Sequence, residues 1–173
     1  MREKIWIPVI LFILFSIVYA QGNWQVYTKD DGLASGSVKE LFEDSKGNIW
    51  ALTTVWGVMK FDGTSWTNYT KSDGLVSKEV STIFEDSKGN IWLGGFSEKR
   101  KSIHGAMRYN GDSFEIISKK VGTDKFYEDK SSNIWFGKML PSMFDGNTVK
   151  TFTKKDGYIP TLFANDIFYN KIN

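Results

Sequence analysis

Residues able to do chemistry concentrate in one short stretch. FSEKRKSIHG (96–105) sets three consecutive cations, Lys99, Arg100 and Lys101, between Phe96 and His104, the single histidine of the chain. Such cations meet carboxylate or sulfate groups. An aromatic face stacks on a sugar ring. The corresponding shorter stretch, TTVWG (53–57), contributes Trp56. Together Trp56, Phe96, Lys99, Arg100, Lys101 and His104 form the candidate ligand-binding set. The plainer alternative is a solvated charged loop beside one exposed aromatic. That alternative is favoured, because loops tolerate variation without consequence.

The residue inventory argues against catalysis. One histidine cannot form a histidine pair. There is no cysteine, which excludes disulfides, thiolate metal sites and thiol nucleophiles. No serine, histidine and aspartate fall in a recognisable context, and no glycine-rich phosphate loop is present. The Asp-rich phrases lack the oxygen-ligand spacing D-x-D-x-D-G of a calcium loop. We therefore expect no enzyme, no metal and no cofactor. Charge is close to balanced, with 22 Lys+Arg against 20 Asp+Glu. That balance gives no field for nucleic acid or an anionic membrane surface.

These residues need a scaffold, and the scaffold is visible as repetition. FEDSKGNIW stands at 42–50 and again, unchanged, at 84–92. A third, altered copy reads FYEDKSSNIW at 126–135, so the tryptophans Trp50, Trp92 and Trp135 follow at intervals of 42 and 43 residues. WQVYTKDDGL (24–33) recurs as WTNYTKSDGL (66–75), and GVMKFDGTSW (57–66) as GAMRYNGDSF (105–114). A period near 42 marks a repeat architecture, propeller blades among them. Each period holds four short runs rich in β-branched and aromatic residues, bounded by Gly, Asp, Asn or Ser. In the first they are 37–43, 48–53, 57–62 and 65–70. Four antiparallel strands per period is a β-propeller blade.

The fold class expected is therefore all-β, a partial β-propeller of four-stranded antiparallel blades. About three full blades occupy 37–70, 79–118 and 123–153, with incomplete strands at 24–28 and 162–170. The repeated phrase is its joint. Asp44 and Asp86 open a hairpin turn by accepting backbone N–H groups. Gly47 and Gly89 take the left-handed position. Trp50 and Trp92 then pack between neighbouring blades. Asp129 and Trp135 repeat the arrangement, but Ser132 replaces the glycine, so that turn is expected to be strained or of another type. The DGL segments at 31–33 and 73–75 read as joints between blades, with left-handed Gly and a Leu plugging the interior.

The phrases D-S-K-G-N-I-W, G-V-M-K-F-D-G and Y-T-K-S-D-G-L resemble the two-component regulator propeller repeat. The resemblance runs over about residues 24–168. It implies the periplasmic sensor region of hybrid two-component systems, an oligosaccharide or its breakdown product as ligand, and a membrane signalling module beyond this chain as the only link to the membrane. The phrase D-x-x-G-x-x-W is also similar to that of streptogramin lyases, whose chemistry uses histidine with a carboxylate and a metal. A secreted interaction or adhesion module remains the main alternative to a sensor, since both need only a binding face.

Residues 1–20 have the layout of a signal peptide: a basic start, a 14-residue apolar run, and V-Y-A before Gln21. The run is short for a membrane span, which needs about 20 residues. Cleavage near Ala20 would leave a periplasmic or secreted domain of residues 21–173. Three blades fall short of the roughly four to eight of a closed propeller. We expect a truncated frame or fragment of a longer sensor. Its open edges would then be closed by further blades or by a partner chain.

Overall fold

A computed structural model describes residues 25–33, 38–54, 56–97, 102–138 and 140–157. Its strands arise where the sequence alternates apolar and polar residues between turn formers. The first sheet runs β1 (Val38–Glu43), β2 (Ile49–Thr53), β3 (Val58–Phe61) and β4 (Trp66–Tyr69). The second runs β5 (Thr82–Glu85), β6 (Ile91–Ser97), β7 (Ser102–Tyr109) and β8 (Phe114–Ser118). The third runs β9 (Phe126–Glu128), β10 (Ile134–Phe136), β11 (Ser142–Phe144) and β12 (Val149–Thr151). In each sheet the strands neighbour one another in chain order and are antiparallel. The fold is all-β, a stack of three four-stranded propeller blades.

The blades meet through two apolar layers. The first joins Trp50, Leu52 and Val58 of one blade to Ile83, Ile91, Leu93, Met107 and Tyr109 of the next. The second joins Trp92 and Ala106 to Ile134, Phe136 and Phe144. Strand alternation explains the pairing. Trp92 faces forward to the third blade, while its neighbours Ile91 and Leu93 face back to the first. Gly94 marks the closest approach, since a Cβ there would lie 2.2 Å from Thr123 Cγ2.

The DGL joint at 73–75 follows a short 3-10 turn, Lys71–Asp73, and that at 31–33 a hydrogen-bonded turn over 29–32. Thr70 donates its backbone N–H and its hydroxyl to Asp73 Oδ2, at 2.8 and 2.9 Å. Gly74 follows at φ 103°, and Leu75 is buried in the first layer. Thr28 with Asp31 and Thr153 with Asp156 repeat the bonds. Gly32 and Gly74 are both left-handed as the sequence predicts, and Leu75 plugs the core, whereas Leu33 is only half-buried. The sequence reading did not foresee the threonine–aspartate cap.

One expectation needs correction. The sequence predicts a strand over 24–28, but residues 25–28 form none. A strand exists only through its ladder, and no described residue pairs with these. Tyr27 instead sets its ring tilted against Phe61 and edge-on to Trp66, with centroids at 4.9 and 5.8 Å. The leader at 1–20 and the incomplete strand at 162–170 lie outside the described residues.

The hairpin turns tell Gly from Ser. Gly47 and Gly89 sit at φ 80° and 77°, with N–H bonds of 2.9 Å to Asp44 O and Asp86 O. Ser132 keeps the same turn at φ 60°, bonded at 2.9 Å to Asp129 O. The turn type is thus retained and the third copy holds a non-glycine residue in the left-handed region. Nothing lies within 4 Å of a Cβ built at Gly47, so conformation alone decides substitutions there. Thermal or urea melts should show Gly47→Val destabilised by about 1–3 kcal/mol. Ser132→Gly should gain up to about 1 kcal/mol, the left-handed penalty less the extra freedom glycine gives the unfolded chain.

Candidate functional site

The most elaborate polar arrangement is the joint itself. Asp44 Oδ1 accepts the backbone N–H of Lys46 and of Asn48 at 3.0 and 2.9 Å. Oδ2 accepts the Asn48 amide and the Trp50 indole Nε1–H, both at 2.8 Å. Asp86 holds Lys88, Asn90 and Trp92 in the same way. Asp129 holds Ser131, Asn133 and Trp135. The spacing D-x-x-x-N-x-W follows from this. A two-residue strand offset brings the indole back beside the turn, and Asn bridges the gap. The sequence reading gave Asp its backbone donors but missed the indole bond, which the six-residue spacing from Asp to Trp carries.

Burial raises the Asp44 carboxyl, but donors from Trp50, Asn48 and Lys46 together outweigh it and hold the group below the ordinary value of 3.8. The Asp86 and Asp129 carboxyls are lowered by the same contest. These lone pairs are already committed to N–H groups, which leaves them poor metal ligands. Among the described residues no group of three or more His, Cys, Asp or Glu could hold a metal ion.

A second bond set ties each turn to the following blade. Ser45 donates its N–H to Glu85 Oε2 at 2.8 Å and its hydroxyl to Glu85 Oε1 at 2.6 Å. Ser87 does the same to Glu128, both bonds at 2.7 Å. This accounts for the Glu-Asp-Ser order in the repeated phrase. Glu receives from the blade before, Asp holds its own turn, and Ser reaches the blade after. A cleft of about 70 Å³ opens in this groove, lined among others by Lys46, Lys60, Trp50 and Tyr109. It admits a water molecule or two, far below the roughly 300 Å³ of a small-molecule site.

Of the candidate binding set, Trp56, Phe96 and His104 lie towards the opposite ends of the strands. Trp56 is 44% exposed in the β2–β3 connection, with its N–H bonded to Thr53 Oγ1 at 3.0 Å. Phe96 and His104 fall in β6 and β7 rather than in a loop. The inserted residues lengthen the hairpin, pairing Phe96 with Ile103 and Ser97 with Ser102 after a register shift at Gly94. The added residues extend an existing ladder, which satisfies their backbone groups. Lys99, Arg100 and Lys101 lie outside the described residues. Among the described residues no helix is long and apolar enough to cross a membrane.

Three measurements test the joint and its clasp. The lowered aspartates contribute stability that is complete above their unfolded value of 3.8 and lost as pH falls through the lower folded values. The melting temperature should therefore hold from neutral pH into the mildly acid range and drop only below about pH 4. Asp86→Ala should cost about 2–4 kcal/mol, because it leaves the buried Trp92 Nε1–H and two turn N–H groups without an acceptor. A double-mutant cycle of Ser45→Ala and Glu85→Ala should return a coupling near 1 kcal/mol, modest because the pair is exposed.

Residues 74–97 match the family described as two component regulator propeller. No curated protein matches the chain. Among solved structures, the extracellular domain assigned to the hybrid two component system BT3049 of B. thetaiotaomicron is similar at TM-score 0.60 and 19% identity, over 79% of this chain and 19% of that one. The extracellular domain assigned to BT4673 of the same organism is similar at TM-score 0.52 and 17% identity, over 65% and 17%. The chain thus spans about a fifth of the length of these domains. At such identities the likeness establishes the fold. The chain is a stack of propeller blades, and its segment 74–97 is similar to the two component regulator propeller repeat.

Proposed function

We propose that this chain is a ligand-sensing propeller module of an exported two-component sensor, and that it recognises oligosaccharides bearing carboxylate or sulfate groups. The observation that carries the reading is the repeat match over 74–97, within a blade stack whose fold is shared with extracellular domains of such systems. The lengthened β6–β7 hairpin and the exposed Trp56 supply the candidate contacts. Both connect a second strand to a third, and in stacked blades such connections share one face. There Trp56 and Phe96 would stack on sugar rings, while Lys99, Arg100, Lys101 and His104 would meet the anionic groups.

In this reading the module does no chemistry. It binds, and binding alters the packing between blades. A membrane signalling partner outside this chain reads the change. Export through the leader at 1–20 would place the module in the periplasm. A secreted interaction module is the second reading. It is favoured by the open face of the first blade, where Leu41 is 65% exposed.

Calorimetric titration with sulfated, uronic-acid and neutral oligosaccharides would separate the two. The sensor reading expects an anionic oligosaccharide to bind. Affinity should fall at least about tenfold in Trp56→Ala and in a combined Lys99→Ala, Arg100→Ala and Lys101→Ala variant. Binding unaffected by both variants, or no binding to any member of the set, would sink the assignment of this face.

A further inference from the structure

The turn between β7 and β8 carries a group that its counterparts lack. The connection from third to fourth strand holds Asp62-Gly63 in the first blade and Asp145-Gly146 in the third, but Asn110-Gly111 in the second. The three turns are otherwise built alike. Asp62 Oδ1 accepts the N–H groups of Thr64 and Ser65, both at 2.9 Å. Asp145 Oδ1 accepts those of Asn147 and Thr148, at 2.9 and 2.7 Å. Asn110 Oδ1 accepts those of Asp112 and Ser113, at 2.9 and 3.0 Å. An amide thus stands where its siblings hold a carboxylate.

Asn110 is also the one asparagine of the chain followed by glycine. Asn48, Asn90 and Asn133 each precede an isoleucine, and each gives its side-chain amide to the aspartate of its joint. Asn110 and Gly111 are both exposed. Among the described residues nothing accepts the Asn110 Nδ2–H or the Gly111 N–H. Glycine sets no side chain beside its own nitrogen, whereas a β-branched residue crowds it.

We propose that Asn110 modifies itself by losing its amide nitrogen, and that the turn receives the aspartate so formed as it receives Asp62 and Asp145. The Gly111 nitrogen attacks Asn110 Cγ. An N–Cγ bond closes a cyclic imide, the Cγ–Nδ2 bond breaks, and Nδ2 leaves as ammonia with the proton from Gly111. Charge developing on Oδ1 during the attack falls on the two N–H groups already aimed at it. Water then opens the ring, and the Gly111 nitrogen regains a proton. Attack at Cγ restores the ordinary backbone and leaves aspartate. Attack at the main-chain carbonyl leaves isoaspartate, with the chain running through the side chain.

The two products differ in what they do to the stack. Aspartate matches its siblings, where the Ser65 and Thr64 N–H groups hold the Asp62 carboxyl below its ordinary value of 3.8. Isoaspartate lengthens the backbone before Gly111, whose carbonyl accepts the Tyr109 hydroxyl. Tyr109 is buried, meets Trp50 edge-on and shares a hydroxyl contact with Tyr69. Isoaspartate therefore loosens a contact between the first and second blades, and aspartate leaves it in place. The reaction needs only water and is independent of any ligand.

Incubation of the folded chain in mildly alkaline buffer, then tryptic digestion and mass spectrometry against an unincubated control, tests this. Cleavage after Arg108 and Lys119 isolates residues 109–119. That peptide should gain the mass of an acid in place of an amide at least about tenfold faster than the peptides holding Asn48, Asn90 or Asn133, whose following Ile hinders ring closure. Aspartate and isoaspartate forms should both appear, since direct hydrolysis yields only the first. Nothing lies within 4 Å of a Cβ built at Gly111, so Gly111→Ala meets no clash, and it should slow the reaction several-fold. Asn110→Asp should melt as the parent does, and the isoaspartate-enriched fraction should melt lower. An unchanged 109–119 peptide in the folded chain would overturn the proposal. So would a rate equal to that of the other asparagines, a product without isoaspartate, an Asn110→Asp variant markedly less stable than the parent, or an isoaspartate fraction that melts with it.

Discussion

Every blade hangs on one carboxylate. Asp44, like Asp86 and Asp129, accepts from its own turn, from the Asn four residues on and from the indole six residues on. Local and long-range structure are fixed by the same two oxygens. The turn cannot open without releasing the indole, and the indole cannot turn without leaving a buried N–H unpaired. Because the indole is also the plug between blades, a bond inside one hairpin sets the position of the next blade. Trp50 meets Tyr109 edge-on at 5.5 Å, and Trp92 meets Phe144 at 5.7 Å.

The Ser–Glu clasps complete the coupling at the outer end of each groove. Their geometry is bidentate, with one carboxylate receiving an N–H and a hydroxyl from the same residue. Exposure limits what such a bond adds to stability. Its main effect is registration, because two fixed donors specify where one blade sits along its neighbour. Apolar layers alone would allow sliding, since dispersion and burial carry little direction. The cation of Arg108 lies over both Trp92 and Phe144, which adds a further contact across the second groove.

A stack held this way separates saturated joints from variable connections. The joints occupy the β1–β2 side, where Asp, Asn, Ser and Glu are saturated by each other. Variation falls on the β2–β3 side, where the connection after Thr53 is short and the one after Ser97 is carried outward by two more ladder pairs. The backbone there is still braced. A Cβ at Gly57 would lie 2.3 Å from Tyr69 O, and one at Gly105 would lie 2.3 Å from Ser118 O. Those glycines let the chain turn tightly against the fourth strand, so residues beyond them are presented from a fixed base.

The blade was legible in the sequence because its determinants are local. Turn formers, strand alternation and a fixed period lie within one repeat. The four strands of the first blade fall within a residue or two of their sequence-derived limits. Asp44, Gly47 and Trp50 were recognisable as a joint for the same reason. Three things depended on residues distant in sequence. The Ser45 partner is Glu85, 40 positions away, and no pattern within one copy identifies it. Residues 25–28 resemble a fourth strand by composition, yet a ladder needs a neighbour and none is described. The 96–105 insertion reads as a polar loop from its charges, while its ends continue a ladder because the strands on either side are already paired. Sequence alone determined the repeating unit, since short-range sterics and hydrogen bonding specify a hairpin. Only tertiary structure decided which face of each unit meets the next, because that choice rests on contacts between blades.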